Sequence, residues 1–519
     1  MSFFSTRHFA TRQFHQHISA LEVSVHKAAN DCWIVVDNQV WDISDFLSEH
    51  PGGPSIILKY AGRDATKAYS EIHPPNLIKN SLPSDKLKGV LDRNSVDDEW
   101  LKAPSEQSGK RLPSNEKPPL TTLINAHDFE VVASQTAPAK TWAFYSSASN
   151  DLITRDANKS FFDRTWLRPR VLRNVKEVNT KTKILGCDVN MPLFVSPAAM
   201  VKLIHPDGEL AVARACETRG IMQGISNSAS YPMKDITAAG PRANYFFQLY
   251  VNKDRAKSAT QLRECSENSR IRAIFITVDA AWPGKREADE RVRADESLSV
   301  PMSAQRAQND SKGGGLGRVM GGFIDPALTW EDLVWARKHT HLPLVLKGVM
   351  SADDAILAMK AGLDGILLSN HGGRNLDTSP PALVTLLELH KRCPEIFDKM
   401  EIYVDGGIRR GTDILKAMCL GATAVGMGRS VLFAAAYGQE GVEHLFDIMA
   451  DELEGAMRLV GITSLDQAHP GLVNTADIDH LVPDSASHPY ARSVARGRGH
   501  SRTRPQSKLW NGGAFKAKL

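Results

Sequence analysis

None of the six cysteines stands in a CxxC pair. Cys32, Cys187, Cys216, Cys265, Cys393 and Cys419 are scattered through 519 residues. That spacing excludes a disulfide framework, a cysteine-built zinc site and covalently attached haem. The net charge is only +4, too small to mark a nucleic-acid binder. No apolar run approaches the roughly 20 residues that a membrane-spanning helix needs. Glycine clusters occur, but none sits in a strand–GxGxxG–helix setting, so a dinucleotide-binding fold finds no support. With 42% hydrophobic and 24% charged residues, the composition is that of an ordinary globular protein. The length implies more than one domain and an ample core.

Residues 93–120 include Asp97-Asp98-Glu99 and Lys117-Pro118-Pro119. They are polar, proline-bearing and poor in apolar periodicity, which marks a hinge. With the hinge at 95–120, the chain divides into an N-terminal extension (1–17), a small α+β domain (18–94), a large domain (121–485) and a basic tail (486–519). The extension holds Arg7 and Arg12 and no acid, which suits a mitochondrial presequence or simply a frayed start. The chain ends Ala517-Lys518-Leu519, a conservative variant of the Ser-Lys-Leu peroxisomal address. The tail is expected to be solvated and poorly ordered.

The large domain alternates short apolar strands with helical stretches. Candidate strands are 193–196, 222–226, 245–250, 273–279, 344–347, 365–369, 402–405 and 424–427. Helical patterns lie between them, at 208–219, 351–361 and 411–420. Eight βα units predict an α/β fold, a (β/α)8 or TIM barrel. Ser226, Gln248, Tyr250, Thr277, Asp279, Lys347, His371, Arg374, Asp405 and Arg429 all fall at or just past the C-terminal strand ends. Such barrels build their sites on that face.

The sixth unit carries Ser369-Asn370-His371-Gly372-Gly373-Arg374. An imidazole that can take a proton stands three residues from a cation that can hold a carboxylate. The glycines between them permit a sharp turn and leave room for a ligand. Alone, the segment would also suit a plain turn with a capping His and a surface Arg. The seventh and eighth units carry Asp405-Gly406-Gly407-Ile408-Arg409-Arg410-Gly411 and Gly426-Met427-Gly428-Arg429. These loops, on adjacent strands, suit a phosphate. Lys347 points into the barrel mouth, where a buried ammonium needs an anionic partner. A reduced flavin would supply one.

In order and spacing, Phe-Gln-Leu-Tyr (247–250), Thr-Val-Asp-Ala (277–280), Lys-Arg-Glu (285–287), Phe-Ile-Asp-Pro (323–326), Leu-Lys-Gly-Val (346–349), Ser-Asn-His-Gly-Gly-Arg (369–374), Val-Asp-Gly-Gly (404–407) and Gly-Met-Gly-Arg (426–429) resemble the FMN-dependent α-hydroxy acid oxidases and dehydrogenases. The resemblance implies His371 as active-site base, with Asp279 orienting it. It implies that Arg374 binds the substrate carboxylate, that Tyr250 hydrogen-bonds the substrate, and that Arg286 lies near the carboxylate. It implies FMN contacts from Ser196, Ala199 (through its backbone), Ser226, Gln248, Thr277, Lys347, Asp405, Gly406, Gly407, Ile408, Arg409, Gly428 and Arg429.

The small domain contains Glu49-His50-Pro51-Gly52-Gly53 and Glu71-Ile72-His73-Pro74, after a hairpin pattern at 33–36 and 40–43. Each His alone would serve as a cap before proline. Together, two such imidazoles can clamp one haem iron from opposite faces and leave no position for oxygen. Residues 18–94 resemble a cytochrome b5-type domain, which implies haem b with His50 and His73 as axial ligands.

Haem domain, hinge and FMN barrel in that order resemble the flavocytochrome b2 family of L-lactate:cytochrome c oxidoreductases. The resemblance implies oxidation of a small L-2-hydroxy acid, with electrons passing from FMN to haem b to a cytochrome c-like acceptor. It also implies a homotetramer. An oxidase producing peroxide, and a redox-binding protein that has lost its substrate, are the competing readings. The complete set Asp279, Lys347, His371 and Arg374 argues against the latter.

The pattern is broken in three places. The family's Tyr-Tyr pair is here Phe144-Tyr145, which removes a hydroxyl from the substrate carboxylate and from the link to the haem domain. Ser228 stands where relatives carry Leu or Trp, which predicts a wider side-chain pocket beside Ala199. Residues 285–322 form a long polar connection with Gly313-Gly314-Gly315, expected to be flexible: a lid or a disordered insertion.

Overall fold

The computed structural model describes residues 16–47, 50, 57–74, 76–97, 100, 116–296, 306–311 and 313–483. Residues 1–15 of the extension, the basic tail and part of the 285–322 connection lie outside them. The chain forms two compact units, 1–114 and 115–519.

In the first unit β1 (His17–Ile18), β2 (Lys27–Ala28), β3 (Asp31–Val36), β4 (Gln39–Asp42), β5 (Arg63–Asp64) and β6 (Leu87–Leu91) form one sheet. Asp37 and Asn38 join β3 to β4 with φ of 50° and 67°, a turn whose twist matches a tight hairpin. Side chains alternate across β3. Cys32, Ile34 and Val36 face one apolar cluster with Trp41 and Leu47, while Val35 joins Ile18, Val23, Val40 and Leu91 in another. The helix Thr66–Ile72 ends at His73, because Pro74 has no N–H to continue it. Val96 and Trp100 pack against this unit. The Trp100 indole donates to Ser24 Oγ (3.0 Å) and to the Gly62 carbonyl (3.2 Å). The start of the expected hinge is thus anchored by its few apolar side chains.

In the second unit eight parallel strands close into a barrel: β7 (Leu193–Val195), β8 (Met222–Ser226), β9 (Tyr245–Leu249), β10 (Ile271–Thr277), β11 (Leu344–Val349), β12 (Gly365–Leu368), β13 (Glu401–Asp405) and β14 (Ala424–Met427). This is the expected (β/α)8 architecture. Phe194, Met222, Phe246, Phe275, Val345, Leu367, Tyr403 and Ala424 fill the barrel interior, and Ile184 and Val189 pack beneath them. That plug leaves the strands' C-terminal ends as the open mouth. Several strands end one or two residues before the sequence pattern suggested. Tyr250, Asp279 and Ser369 stand just past the last paired residues, where the backbone turns into the site.

Helices α1 (Ala139–Ser146) and α2 (Ile153–Asp163) precede the barrel; α3 (Gly208–Arg219), α4 (Ala352–Lys360), α5 (Gly411–Cys419) and α6 (Gly438–Val460) pack around it. The α3 range matches the sequence pattern. Gly220, at φ 63°, supplies its left-handed C-terminal stop. Among the described residues no helix is long and apolar enough to cross a membrane.

Candidate active site

Three consecutive residues of the turn after β12 have positive φ: 57° at His371, 64° at Gly372 and 76° at Gly373. Glycine adopts this freely; at His371 it costs on the order of 1–3 kcal/mol. Asn370 holds the turn. Its Oδ1 accepts from the Gly373 N–H (3.2 Å) and from Asn158 Nδ2 (2.9 Å), and its Nδ2 donates to Asn158 Oδ1 (2.7 Å). Asn158, on α2, had no signal in the sequence beyond its residue type. Its neighbour is the seventh-strand loop: a Cβ on Gly407 would lie 2.1 Å from the Asn158 carbonyl oxygen. One buried amide pair thus joins the base turn to the glycine loop.

His371 Nδ1 lies 2.9 Å from Asp279 Oδ1. The carboxylate accepts the Nδ1 proton, so Nε2 carries the lone pair and faces the cavity, 3.4 Å from Tyr250 Oη. Lys347 Nζ sits 3.5 Å from Asp279 Oδ2 and 3.3 Å from Ser369 Oγ. Gly348 makes this possible, since a Cβ there would lie 2.6 Å from that of Asp279. Lys347 is only 3% exposed and already has an anionic partner within the protein. Burial would lower its pKa, but Asp279 and Asp405 overcome that and raise it. Burial pushes Asp279 up, and Lys347 with His371 outweighs it, leaving the carboxyl below its ordinary value. His371 is held below the usual imidazole value, by burial and then by Lys347, against the pull of Asp279. It is therefore a neutral base at pH 7.

Arg374 and Arg286 face the same space. Arg374 Nη1 donates to the carbonyls of Phe144 (2.8 Å), Tyr145 (3.1 Å) and Ser147 (3.1 Å) at the end of α1. Arg286 Nε donates to the Arg374 carbonyl at 3.2 Å, and its buried Nη1 has no partner. Burial, then Arg286, then Arg429 hold Arg374 well below the ordinary guanidinium range.

These groups line a cavity of about 570 Å³. Its far end is basic. Gly406 and Gly407 run at φ 92° and 88°. Arg429 is pushed down to about 10 by burial, then by Arg409 and Arg155. Arg155, on α2, lies in no motif that would have marked it beforehand. Arg409 is already ion-paired with Glu130. Ser196, Ala199, Ser226, Asp405 and Gly428 also line the wall. Gln248, Thr277, Ile408 and Ser228 do not. Gln248 bonds Thr277 Oγ1 at 2.9 Å, and Ile408 is buried apolar core. Ser228, expected in the substrate pocket, is buried in the loop after β8, and its Oγ has no partner among the described residues. Its N–H donates to Ser226 Oγ (3.1 Å) and its carbonyl accepts from Met200 (3.1 Å).

The connection after β10 also departs from expectation. In its described part Glu287–Arg291 and Leu316–Gly321 are helical. Gly313 and Gly314 lie against Glu290 and Arg293, at distances that leave no room for a Cβ. These glycines serve close packing.

In the first unit the His50 and His73 rings stand 6.1 Å apart between centres, tilted by 57°.

The family model described as FMN-dependent dehydrogenase matches residues 133–475, and that of the cytochrome b5-like haem/steroid binding domain matches residues 19–92. The chain belongs to the FMN-dependent dehydrogenase family. It is 38% identical to the L-lactate dehydrogenase (cytochrome) of Wickerhamomyces anomalus, over 92% of this chain and 83% of that one. It is 37% identical to spinach (Spinacia oleracea) glycolate oxidase, over 72% of this chain and 99% of that one. A solved flavocytochrome b2 with pyruvate bound superposes with a TM-score of 0.63 at 38% identity, covering 75% of this chain and 95% of that one. The cofactors of this FMN-dependent dehydrogenase are accordingly FMN in the barrel and haem b in the small domain.

Both groups fit. In the dehydrogenase barrel Asp405 Oδ1 is buried without a partner. A Cβ on Gly428 would meet only Ser196, at 3.8 Å, so the backbone there is open to a ligand. The Arg429–Arg409–Arg155 cluster wants a dianion, which the FMN phosphate is. In the small domain the 6.1 Å between rings admits one metal bonded to a nitrogen of each, at about 2 Å per bond. Among the described residues no group of three or more His, Cys, Asp or Glu could hold a bare ion.

Proposed function

We propose that the chain oxidises an L-2-hydroxy acid of the lactate class to the 2-oxo acid and delivers the electrons to a cytochrome c-like acceptor. One observation carries the substrate class: two arginines, the buried Arg286 and the partly buried Arg374, line the same cavity as the His371 base, and Arg286 has an Nη1 unpaired among the described residues. A carboxylate supplies the missing charge and fixes the carbon next to it beside the base.

FMN, when bound, accepts the two electrons, and haem b passes them on singly. The residues do the rest. Arg374 is preset by α1 carbonyls and offers its remaining N–H groups to the carboxylate. Tyr250 stands within hydrogen-bonding range of His371 Nε2, where a substrate hydroxyl would lie between them. His371 takes the proton at Nε2, and Asp279 stabilises the imidazolium that forms. Lys347, held protonated by Asp279 and Asp405, keeps a cation next to the pair. Ala198, Ala199 and Phe144 bound the space beside the carboxylate. The small Ala198 and Ala199 on the cavity wall are the support for a substrate side chain larger than methyl.

A mitochondrial location and a homotetramer belong to this reading. Their support is the resemblance of the domain order to the flavocytochrome b2 family.

The test is anaerobic addition of L-lactate to the holoprotein, followed by absorbance. The expected result is flavin bleaching followed by haem reduction, with ferricytochrome c reduced on addition. In air, turnover that yields peroxide and leaves the haem oxidised would make the protein an oxidase instead. No bleaching with lactate, glycolate, 2-hydroxybutyrate or mandelate would overturn the substrate class.

A further inference from the structure

Lys140 lies on α1, one turn before Phe144. Its ammonium donates to four oxygens: Asp289 Oδ1 (2.6 Å), Asp289 O (2.6 Å), Val292 O (2.9 Å) and Gly314 O (2.9 Å). Three protons serve four acceptors, so at least one is shared. The acceptors come from two separate stretches of the connection after β10. Asp289 is 1% exposed, and its second oxygen accepts from the Gly317 N–H at 3.1 Å. Gly317 in turn backs Arg286: a Cβ there would lie 2.9 Å from Arg286 Nη1.

A buried carboxylate must have a cation. Asp289 takes Lys140, and this leaves the Arg286 guanidinium with one fixed bond among the described residues, to the Arg374 carbonyl. We propose that Lys140 and Asp289 are positioning residues for substrate binding: the Lys140 ammonium satisfies Asp289, so that Arg286 stays directed at the substrate carboxylate. Without Lys140, the cations still acting around Asp289 include Arg286, Arg374 and Arg318. Arg318 is held through both of its Nη atoms by Asp310 and the Gly313 carbonyl, although its Nε, 3.7 Å from Glu290, has no hydrogen bond among the described residues. Arg286, with its free Nη1, is then drawn from the cavity to Asp289. The inference rests on reading Arg286 as a carboxylate contact.

The test uses the holoprotein and the variants K140M, R286M, K140M/R286M and K140M/D289N. KM and kcat are measured with L-lactate, and the Kd of pyruvate is measured from the perturbation of the flavin spectrum. K140M should raise KM and Kd about tenfold, the scale of one lost charge-assisted hydrogen bond, at unchanged FMN content and with a smaller change in kcat. K140M/D289N, which leaves no lone buried carboxylate, should recover most of that loss. A merely structural role would not produce this recovery in Kd. In the R286M background K140M should add little. Unchanged KM and Kd in K140M, additive effects of K140M and R286M, or no recovery in K140M/D289N would each overturn the proposal. Wild-type KM in R286M would refute the carboxylate reading itself. If K140M does not fold, K140Q, which also removes the charge, takes its place in every comparison.

Discussion

The Arg374 guanidinium lies 5.1 Å from the centre of the Phe144 ring, while its Nη1 donates to the Phe144 carbonyl at 2.8 Å. Read from sequence, Phe144 was only a missing hydroxyl. In the fold it is 1% exposed, and its ring packs against Arg374, the cation proposed to hold the substrate carboxylate. Such a contact contributes about 0.5–2 kcal/mol, depending on solvation. Phe144 thus gives up a bond to the carboxylate and keeps Arg374 in place.

Phe144→Tyr restores a hydroxyl at the cavity wall. A hydrogen bond to a charged group contributes about 1.5–3 kcal/mol, so KM for L-lactate should fall about tenfold or more. Steady-state kinetics measure this, and stopped-flow haem absorbance shows whether electron delivery quickens as well. An unchanged KM would mean that the ring edge does not face the carboxylate.

The pH profile follows from His371. Its folded pKa lies below the usual imidazole value, and only the neutral ring accepts a proton. The acid limb of kcat/KM should therefore fall below the ordinary imidazole range of about 6.5. Asp279 opposes that shift, since its negative charge favours the imidazolium. Asp279→Asn should accordingly move the limb to still lower pH while slowing flavin reduction. His371→Gln should slow flavin reduction by about 10²–10⁴-fold with FMN still bound. A limb that moves upward in D279N would sink the assignment of the pair.

His73→Ala removes one of the two imidazoles that face each other across 6.1 Å. The haem absorption band should be lost or altered, while lactate still bleaches the flavin in the separate barrel unit. Cytochrome c reduction should drop to the level of direct flavin transfer. Retention of a normal haem spectrum would point to another ligand.

Glu209 ties two site loops together from behind. Its Oε1 accepts from the Val201 N–H (3.0 Å) and the Ser230 N–H (2.8 Å), and its Oε2 is buried and unpaired. Burial raises its pKa, and the backbone bonds offset only part of this. A raised folded pKa means that stability is fully present below the unfolded carboxyl value and is lost as pH rises through the folded one. Glu209→Gln should therefore flatten the decline of Tm from pH 5 to pH 8. Glu209→Ala should lower stability by about 1–3 kcal/mol for each N–H left unpaired. Thermal unfolding at the two pH values distinguishes them; an unchanged pH dependence in E209Q would show that Glu209 does not titrate there.

The architecture was legible because it rests on local pattern. Eight short apolar runs, each followed by polar residues, specify a parallel barrel and the face that carries its chemistry. His371, Arg374, Asp279 and Lys347 stand at fixed offsets from those strand ends, and the paired histidines follow proline-marked helix ends. What remained hidden depends on contacts between residues far apart in sequence. Asn158 finds Asn370 across 212 positions, and Lys140 finds Asp289 across 149; neither has a periodicity to betray it. Ser228 is buried with its Oγ unpartnered, a placement that its position in the chain does not reveal. Gly313 and Gly314 read as slack in the sequence and are close packing in the fold, since only the folded neighbours reveal that a Cβ would not fit. Strand count and residue chemistry are properties of the sequence; which charges end up unpaired, and so which are left for a substrate, is decided by tertiary packing.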